Sequence, residues 1–476
     1  MSFVRTLVLI AVAAGLGAWI YFVEIPKAEE QERASYILSI DPDDAASLRL
    51  AYPDGTSIAA IREGDGWKMT EPVVYPAEGP SIENFLNTVG ETKIERKLDK
   101  ADTGTLASYG LEGERGSQAR LEITRIDGKP VAAVILGITT PVGNEAFARR
   151  EGEDAVFVIP LLLQSSAKKE PFELRKKTMF QTDGTGVQSV RIASPDRVIT
   201  LEKRGEAQWQ MLSPLEDAAD NEAVRSMLDS VATIDAVSFY DGDKADPVAF
   251  GLGDAGTRFT ATREDESTIA FTIGKDATDP PAGNYFERES DHQIIKAPDW
   301  VAKKFAPAPN DLRDRRLVPC KVDDVRSMTW SRGEQSFTIA REAAGKPWAI
   351  TAPVAGEVLN QRIVDNVVGG LSLARADEVV GDAADAAGLA SYGLDAPLVK
   401  FDVVGAAGPC ASLTAAPVAP SADSAPPGVP KPVQSYYVKD AARTAVLRAS
   451  EHEYSRIAMK RSEFTSSAPT DPDAAE

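Results

Sequence analysis

The 476-residue chain contains two cysteines and two histidines. So few ligands exclude a cysteine-rich zinc module, an iron–sulfur protein and a scaffold stapled by several disulfides. His292 and His452 have no further histidine to complete a catalytic triad or a metal shell. Positive charge is also short, with 52 Lys and Arg against 72 Asp and Glu, a net charge of −20. Self-repulsion would oppose every contact with a phosphate backbone, so nucleic acid is not an expected partner. Beyond the N-terminus there is no uncharged run of membrane-spanning length. What remains is 43% apolar and 26% charged, with 35 Gly and 31 Pro, the composition of a globular protein of about three domains.

The exception is the stretch from Thr6 to Val23, 18 residues without a charge. As one helix it would rise about 27 Å, enough to cross a bilayer core. Trp19, Tyr21 and Phe22 would form an interfacial belt, and Arg5 precedes the run while four glutamates soon follow it. The expectation is an uncleaved, single-pass anchor in a cytoplasmic (inner) membrane. The lipid bilayer would be its partner through residues 6–23, with the N-terminus cytoplasmic and the bulk of the chain outside. A cleaved signal peptide is the competing reading. Cys320 and Cys410 would then lie where disulfides are permitted, either paired or as two free thiols.

A threefold repeat organises the rest. The string Trp-x4-Pro occurs at Trp67–Pro72, Trp209–Pro214 and Trp348–Pro353, with the tryptophans 142 and 139 residues apart. Each is followed 41–44 residues later by an aromatic-Gly-Leu: Tyr109-Gly110-Leu111, Phe250-Gly251-Leu252 and Tyr392-Gly393-Leu394. Between the landmarks, Ile82, Phe85, Leu86 and Val89 fall at helical spacing. Val224, Met227, Leu228 and Val231 repeat it, as do Val364, Val367, Val368 and Leu371. Ser81, Asp220 and Asn360 are the capping candidates. Alternating segments before each Trp and after each aromatic-Gly-Leu read as hairpins. The expected architecture is α+β: an anchor and linker (1–34), then three tandem modules of about 140 residues at 35–182, 183–319 and 320–464. The third carries a flexible Pro/Ala-rich insertion at 405–432, and an acidic, disordered tail closes the chain at 465–476.

With these landmarks the chain resembles the bacterial domain-of-unknown-function 4340 family over residues 35–464. Members of that family are commonly encoded beside an ABC-type export permease and a gliding-motility-type auxiliary protein. The resemblance therefore implies an accessory role in an envelope transport complex, with an ABC-type permease or auxiliary subunit as partner. It carries over no catalytic residues.

Strict periodicity points to a structural role for Trp67, Pro72, Trp209, Pro214, Trp348 and Pro353, with each Trp ending a strand and covering the next helix. The same holds for Tyr109, Gly110, Phe250, Gly251, Tyr392 and Gly393, where glycine supplies a positive φ. Gly251-x-Gly253-x-x-Gly256 precedes a strand rather than the helix that a dinucleotide site needs. The acidic turns at Asp99/Asp102, Asp241–Asp246 and Asp382/Asp385 lack the EF-hand glycine and terminal glutamate and read as helix openings. Ser165-x-x-Lys168 has none of the partners of a penicillin-binding enzyme. No catalytic residue, cofactor or metal is assigned. Each module ends in a basic cluster: Lys168, Lys169, Arg175, Lys176 and Lys177; Arg313, Arg315 and Arg316; Arg456, Lys460 and Arg461. Such clusters either pair with an acidic neighbouring module or dock an anionic partner. The leading expectation is a non-enzymatic scaffold. An envelope polysaccharide or peptidoglycan binding module using exposed tryptophans and a carboxylate-based envelope hydrolase are the alternatives.

Overall fold

The computed structural model describes residues 3–98, 105–112, 117–205, 208–242, 245–354, 357–419 and 435–466. They divide into two compact units, Met1–Met179 and Phe180–Glu476. The first holds one copy of the repeat and the second holds two.

The N-terminal segment departs from expectation. Its regular α-helix, Phe3–Trp19, stops after 17 residues. A π-helical turn, Ile20–Glu24, and a polar helix, Ile25–Ala34, follow. Among the described residues no helix is long and apolar enough to cross a membrane, which overturns the single transmembrane helix expected over residues 6–23. The physical reason is that the uncharged run is divided between two elements. Its continuation, IPKAEEQERA, is charged.

The α+β assignment is corrected as well. Three antiparallel sheets of nine, nine and eight strands dominate the structure. Each copy contributes one helix of nine or more residues: Gly79–Glu91, Asn221–Asp229 and Gln361–Leu371. The helical segments that close each copy are short, in pieces of four to seven residues, such as Leu161–Ser166 and Pro171–Leu174 in the first. The hairpin segments, by contrast, all become strands.

Sheet order explains how one helix serves so wide a sheet. In the first copy the strands run Tyr75–Pro76, Gly66–Glu71, Ser57–Glu63, Ala45–Ala51, Ala119–Arg125, Val134–Thr139, Glu145–Arg150, Val156–Pro160 and Arg96–Leu98. The helix leaves from one edge strand and delivers the chain to the other, so it must cross the face. Its Ile82, Phe85, Leu86 and Val89 are buried there. Each such side chain contributes about 1.5–3 kcal/mol of burial. Opposite them, Leu48 pairs with Ala60 and Ile123, and Leu50 with Ile58 and Leu121. Period-two alternation leaves Arg49 facing solvent. The second copy repeats the same order strand for strand. In the third, Val358–Leu359 leaves the sheet and pairs with Thr465–Ser466.

Two helix caps sit where the sequence places them. Asp220 accepts from the backbone N–H groups of Glu222 and Ala223, and Asn360 from Ile363. Ser81 does not cap its helix: Gly79 and Pro80 begin the helix two residues earlier, behind Glu78. Proline's fixed φ and missing N–H suit that first turn. Part of the expected insertion is also ordered. Gly408–Pro417 is a ten-residue strand whose Ala411, Leu413 and Ala415 are buried in alternation. Residues 420–432 of the insertion and the tail from 467 lie outside the described residues.

Candidate functional site

The repeated landmarks are buried joints. Trp67, Trp209 and Trp348 are 4%, 8% and 3% exposed. Each opens its strand or immediately precedes it, rather than ending it as expected. Arg62 lies over the Trp67 ring and Arg341 over that of Trp348. The Trp209 N–H donates to Asn221 Oδ1, and the Trp348 N–H to Gln361 Oε1, so the backbone beside each Trp is tied to the first turn of the helix. The peptide bonds before Pro72, Pro214 and Pro353 are all cis. At the second landmark Gly110, Gly251 and Gly393 have φ of 66°, 69° and 68°. Leu111, Leu252 and Leu394 behind them are buried. Tyr109 packs edge-on against Phe147, Phe250 stacks on Tyr285, and Tyr392 meets Tyr437.

The basic clusters have different fates. In the first unit Lys168 is exposed, Lys169 lies 3.6 Å from Glu173, and Arg175 is buried against the Tyr75 ring. The Lys176 N–H donates to the Pro76 carbonyl, and Lys177 sits over Phe172. In the second unit Arg313 is fully buried between modules two and three. Its Nε donates to Asp217 at 2.7 Å, and its two Nη atoms hold Asp382 at 2.7 and 3.0 Å. Arg443, from the third module, grips Asp217 with two further bonds of 2.9 Å and donates to the Asp314 carbonyl. Arg316 forks onto Asp314, and Arg315 donates to the Asp377 carbonyl. Arg375 adds bonds from the third module to Asp220 and Glu222 of the second. In the closing cluster Arg456 donates to the Gly370 carbonyl and Arg461 to Glu357, while Lys460 is exposed.

The result is a charge lattice at the junction of two modules. Burial pushes the Asp217 carboxyl up, but Arg443 and Arg313 outweigh it and hold the group below the ordinary carboxylate range. The hydrogen bond from Arg313 likewise lowers Asp382. A cavity of about 310 Å³ opens beside the lattice, lined by Trp209, Asp314, Arg316 and Arg443 among others. Chemically the arrangement is suited to fixing orientation, since its facing guanidinium groups already hold carboxylates. Among the described residues no group of three or more His, Cys, Asp or Glu is placed to hold a metal ion.

Sequence reasoning did not find Asp217, Arg375 or Arg443, and it read Asp382 only as part of a helix-opening turn. Asp385 does cap the short helix Ala386–Ser391. A signal was present: Asp217 stands where the first copy has Tyr75, an acid replacing an aromatic at a position that points inward. Asp99 and Asp102 lie outside the described residues. Cys320 and Cys410 form a disulfide, with Cα atoms 6.0 Å apart, across 90 residues of sequence.

Comparison with known proteins returned one family. The model for a domain of unknown function, DUF4340, matches at residues 67–252 and again at 209–397. The two matches start on Trp67 and Trp209, one repeat apart, so the family's unit spans two successive Trp-x4-Pro landmarks. No curated protein and no solved structure matches the chain. Together the two family matches cover well over half of the sequence, and the chain belongs to the DUF4340 family.

Proposed function

We propose that this protein is a non-catalytic, extracytoplasmic scaffold, an accessory component of an ABC-type envelope transport complex. The observation that carries the reading is the junction of modules two and three. Asp217 and Arg313 from one module and Asp382 and Arg443 from the other interlock in a buried network. Such a network fixes how two modules face each other, and a protein that presents a shaped surface to partners depends on that. The Cys320–Cys410 disulfide supports a location outside the cytosol, where such bonds persist. The transport assignment rests on the kinship with a family found beside export permeases.

The repeated tryptophans do not support the glycan-binding alternative, because their rings are covered by the fold. The exposed members of the basic clusters, Lys168 in the first unit and Lys460 in the second, are the preferred docking positions. In-cell crosslinking from these two positions, followed by mass spectrometry, tests the proposal. Recovery of an ABC-type permease, lost on Lys168→Glu and Lys460→Glu substitution, is the expected outcome. Crosslinks to no transport protein would sink it.

A further inference from the structure

Opposite each repeated tryptophan, on the neighbouring strand or at its end, stands a basic residue, and the second module has a different one. Arg62 pairs with Trp67 and Lys203 with Trp209, while Arg341 follows Ala340, which pairs with Ala349. In the first module the Arg62 guanidinium lies 5.0 Å from the Trp67 ring centre and donates to the carbonyls of Ala45 and Pro42, each at 3.1 Å. In the third, Arg341 lies 4.7 Å from the Trp348 ring centre and donates to the carbonyls of Val325 and Val322 at 2.8 and 2.6 Å. Each guanidinium thus joins its Trp to the turn that opens the module's first strand.

The second module keeps the acceptors and lacks the donor. Register equates Val187 with Ala45 and Val325, since the three pair with Arg263, Arg125 and Gly405. Gly184 then stands where the others have Pro42 and Val322, and in all three turns that carbonyl also takes the N–H three residues on. Arg263 serves the neighbouring carbonyls of Asp183 and Thr185 instead. Among the described residues no side chain donates to the Gly184 or Val187 carbonyl, no cation lies over Trp209, and Lys203 makes no hydrogen bond or ion pair. An ammonium is a point charge, without the flat fork that stacks on a ring while bonding two carbonyls.

The space left by the missing fork is open. A cavity of about 320 Å³ is lined by Gly184, Val187, Lys203 and Trp209, with Asn221 and Leu228 of the helix behind them. That volume is at the lower end of small-molecule sites. Trp209 is 8% exposed, against 4% and 3% for the two tryptophans that carry a guanidinium. Arg225 and Asp229, both exposed, also line the cavity and offset one another, which leaves Lys203 as its one uncompensated cation.

We propose that this pocket of the second module binds an alkylguanidinium cation, the side chain of a partner's arginine or a free arginine-like molecule. The bound group stacks on Trp209 and donates to the Gly184 and Val187 carbonyls, as Arg62 and Arg341 do within their own modules. The inference goes beyond the scaffold reading and does not depend on it.

Calorimetric titration of the full chain with N-acetylarginine amide, free arginine and N-acetyllysine amide is the test. At least one arginine compound should bind about tenfold tighter than the lysine compound or better. Tighter binding of the blocked form marks a protein side chain as the occupant, and tighter binding of the free form a small molecule. Lys203→Arg supplies the guanidinium from within, so it should abolish the titration and raise the Tm of the second unit. Lys203→Met, which removes the competing charge, should tighten binding several-fold, and Asp229→Asn, at an exposed position, should weaken it several-fold. These two variants keep the test decisive should Lys203→Arg fail to fold. Absence of binding by both arginine compounds at millimolar concentration would overturn the proposal. Equal binding of the lysine compound, or affinities unchanged in the folded variants, would do the same.

Discussion

At the scale of single residues, the fold turns on positions where only one side chain fits. Gly110 sits at φ 66°, and an added Cβ would come 2.3 Å from Ser117 Oγ and 2.9 Å from Ile138. A left-handed backbone and a close approach thus act together. Gly110→Ala should therefore destabilise the first unit by about 1–3 kcal/mol, read as a lower urea midpoint at unchanged slope. Tyr52 offers a test of the opposite kind. Burial pushes its phenol up to about 12, against a smaller downward pull from the Lys169 backbone N–H, which donates to its oxygen. Because the folded value lies above the unfolded one near 10, its contribution is fully present below pH 10 and fades as pH rises toward 12. Ultraviolet titration of the protein and of Tyr52→Phe should differ by one phenol ionising near 12. A difference near 10 would place the hydroxyl in water.

At the scale of elements, the junction of the second and third modules is the most exacting feature. Arg313 has no solvent contact and serves two carboxylates from different modules. Truncating it leaves Asp217 to Arg443 alone and frees Asp382 from its guanidinium partner, so Arg313→Ala should cost the second unit about 1.5–3 kcal/mol. Acid should loosen the same joint. Asp217 and Asp382 are held below their unfolded values, so their contribution is present above about pH 4 and is lost as pH falls through the depressed folded values. The acid limb of the second unit's stability should flatten in Asp217→Asn and Asp382→Asn variants that still fold.

Little of this joint was legible in the sequence, for a physical reason. Periodicity reports which face of an element is apolar, and it located the three helices through residues such as Phe85, Met227 and Val368. A buried ion pair between modules has no period, and its members lie 69 to 226 positions apart. The N-terminal run failed differently. Hydropathy counted Thr6–Val23 as one stretch, whereas the regular helix ends at Trp19 and a π-helical turn begins at Ile20. The balance of helix and strand was also misjudged, because each copy builds a sheet of eight or nine strands crossed by a single helix of nine to thirteen residues.

At the scale of the whole molecule, three copies of one architecture have been differentiated rather than merely multiplied. The first forms a compact unit with the N-terminal segment, and the second and third together form another. The Cys320–Cys410 bond belongs wholly to the second unit and joins the segment entering the third module to a strand of its sheet. Closing a 90-residue loop restricts the unfolded chain and is worth about 2–4 kcal/mol. The first unit has no cysteine, so reduction should act on one unit alone. Thermal unfolding followed by calorimetry should resolve two transitions, with dithiothreitol lowering only that of the second unit. Cys320→Ala/Cys410→Ala should reproduce the shift and abolish any further effect of the reductant. A single transition moving as a whole would mean that the two units unfold as one cooperative body, and the disulfide's restraint would then extend to the first repeat.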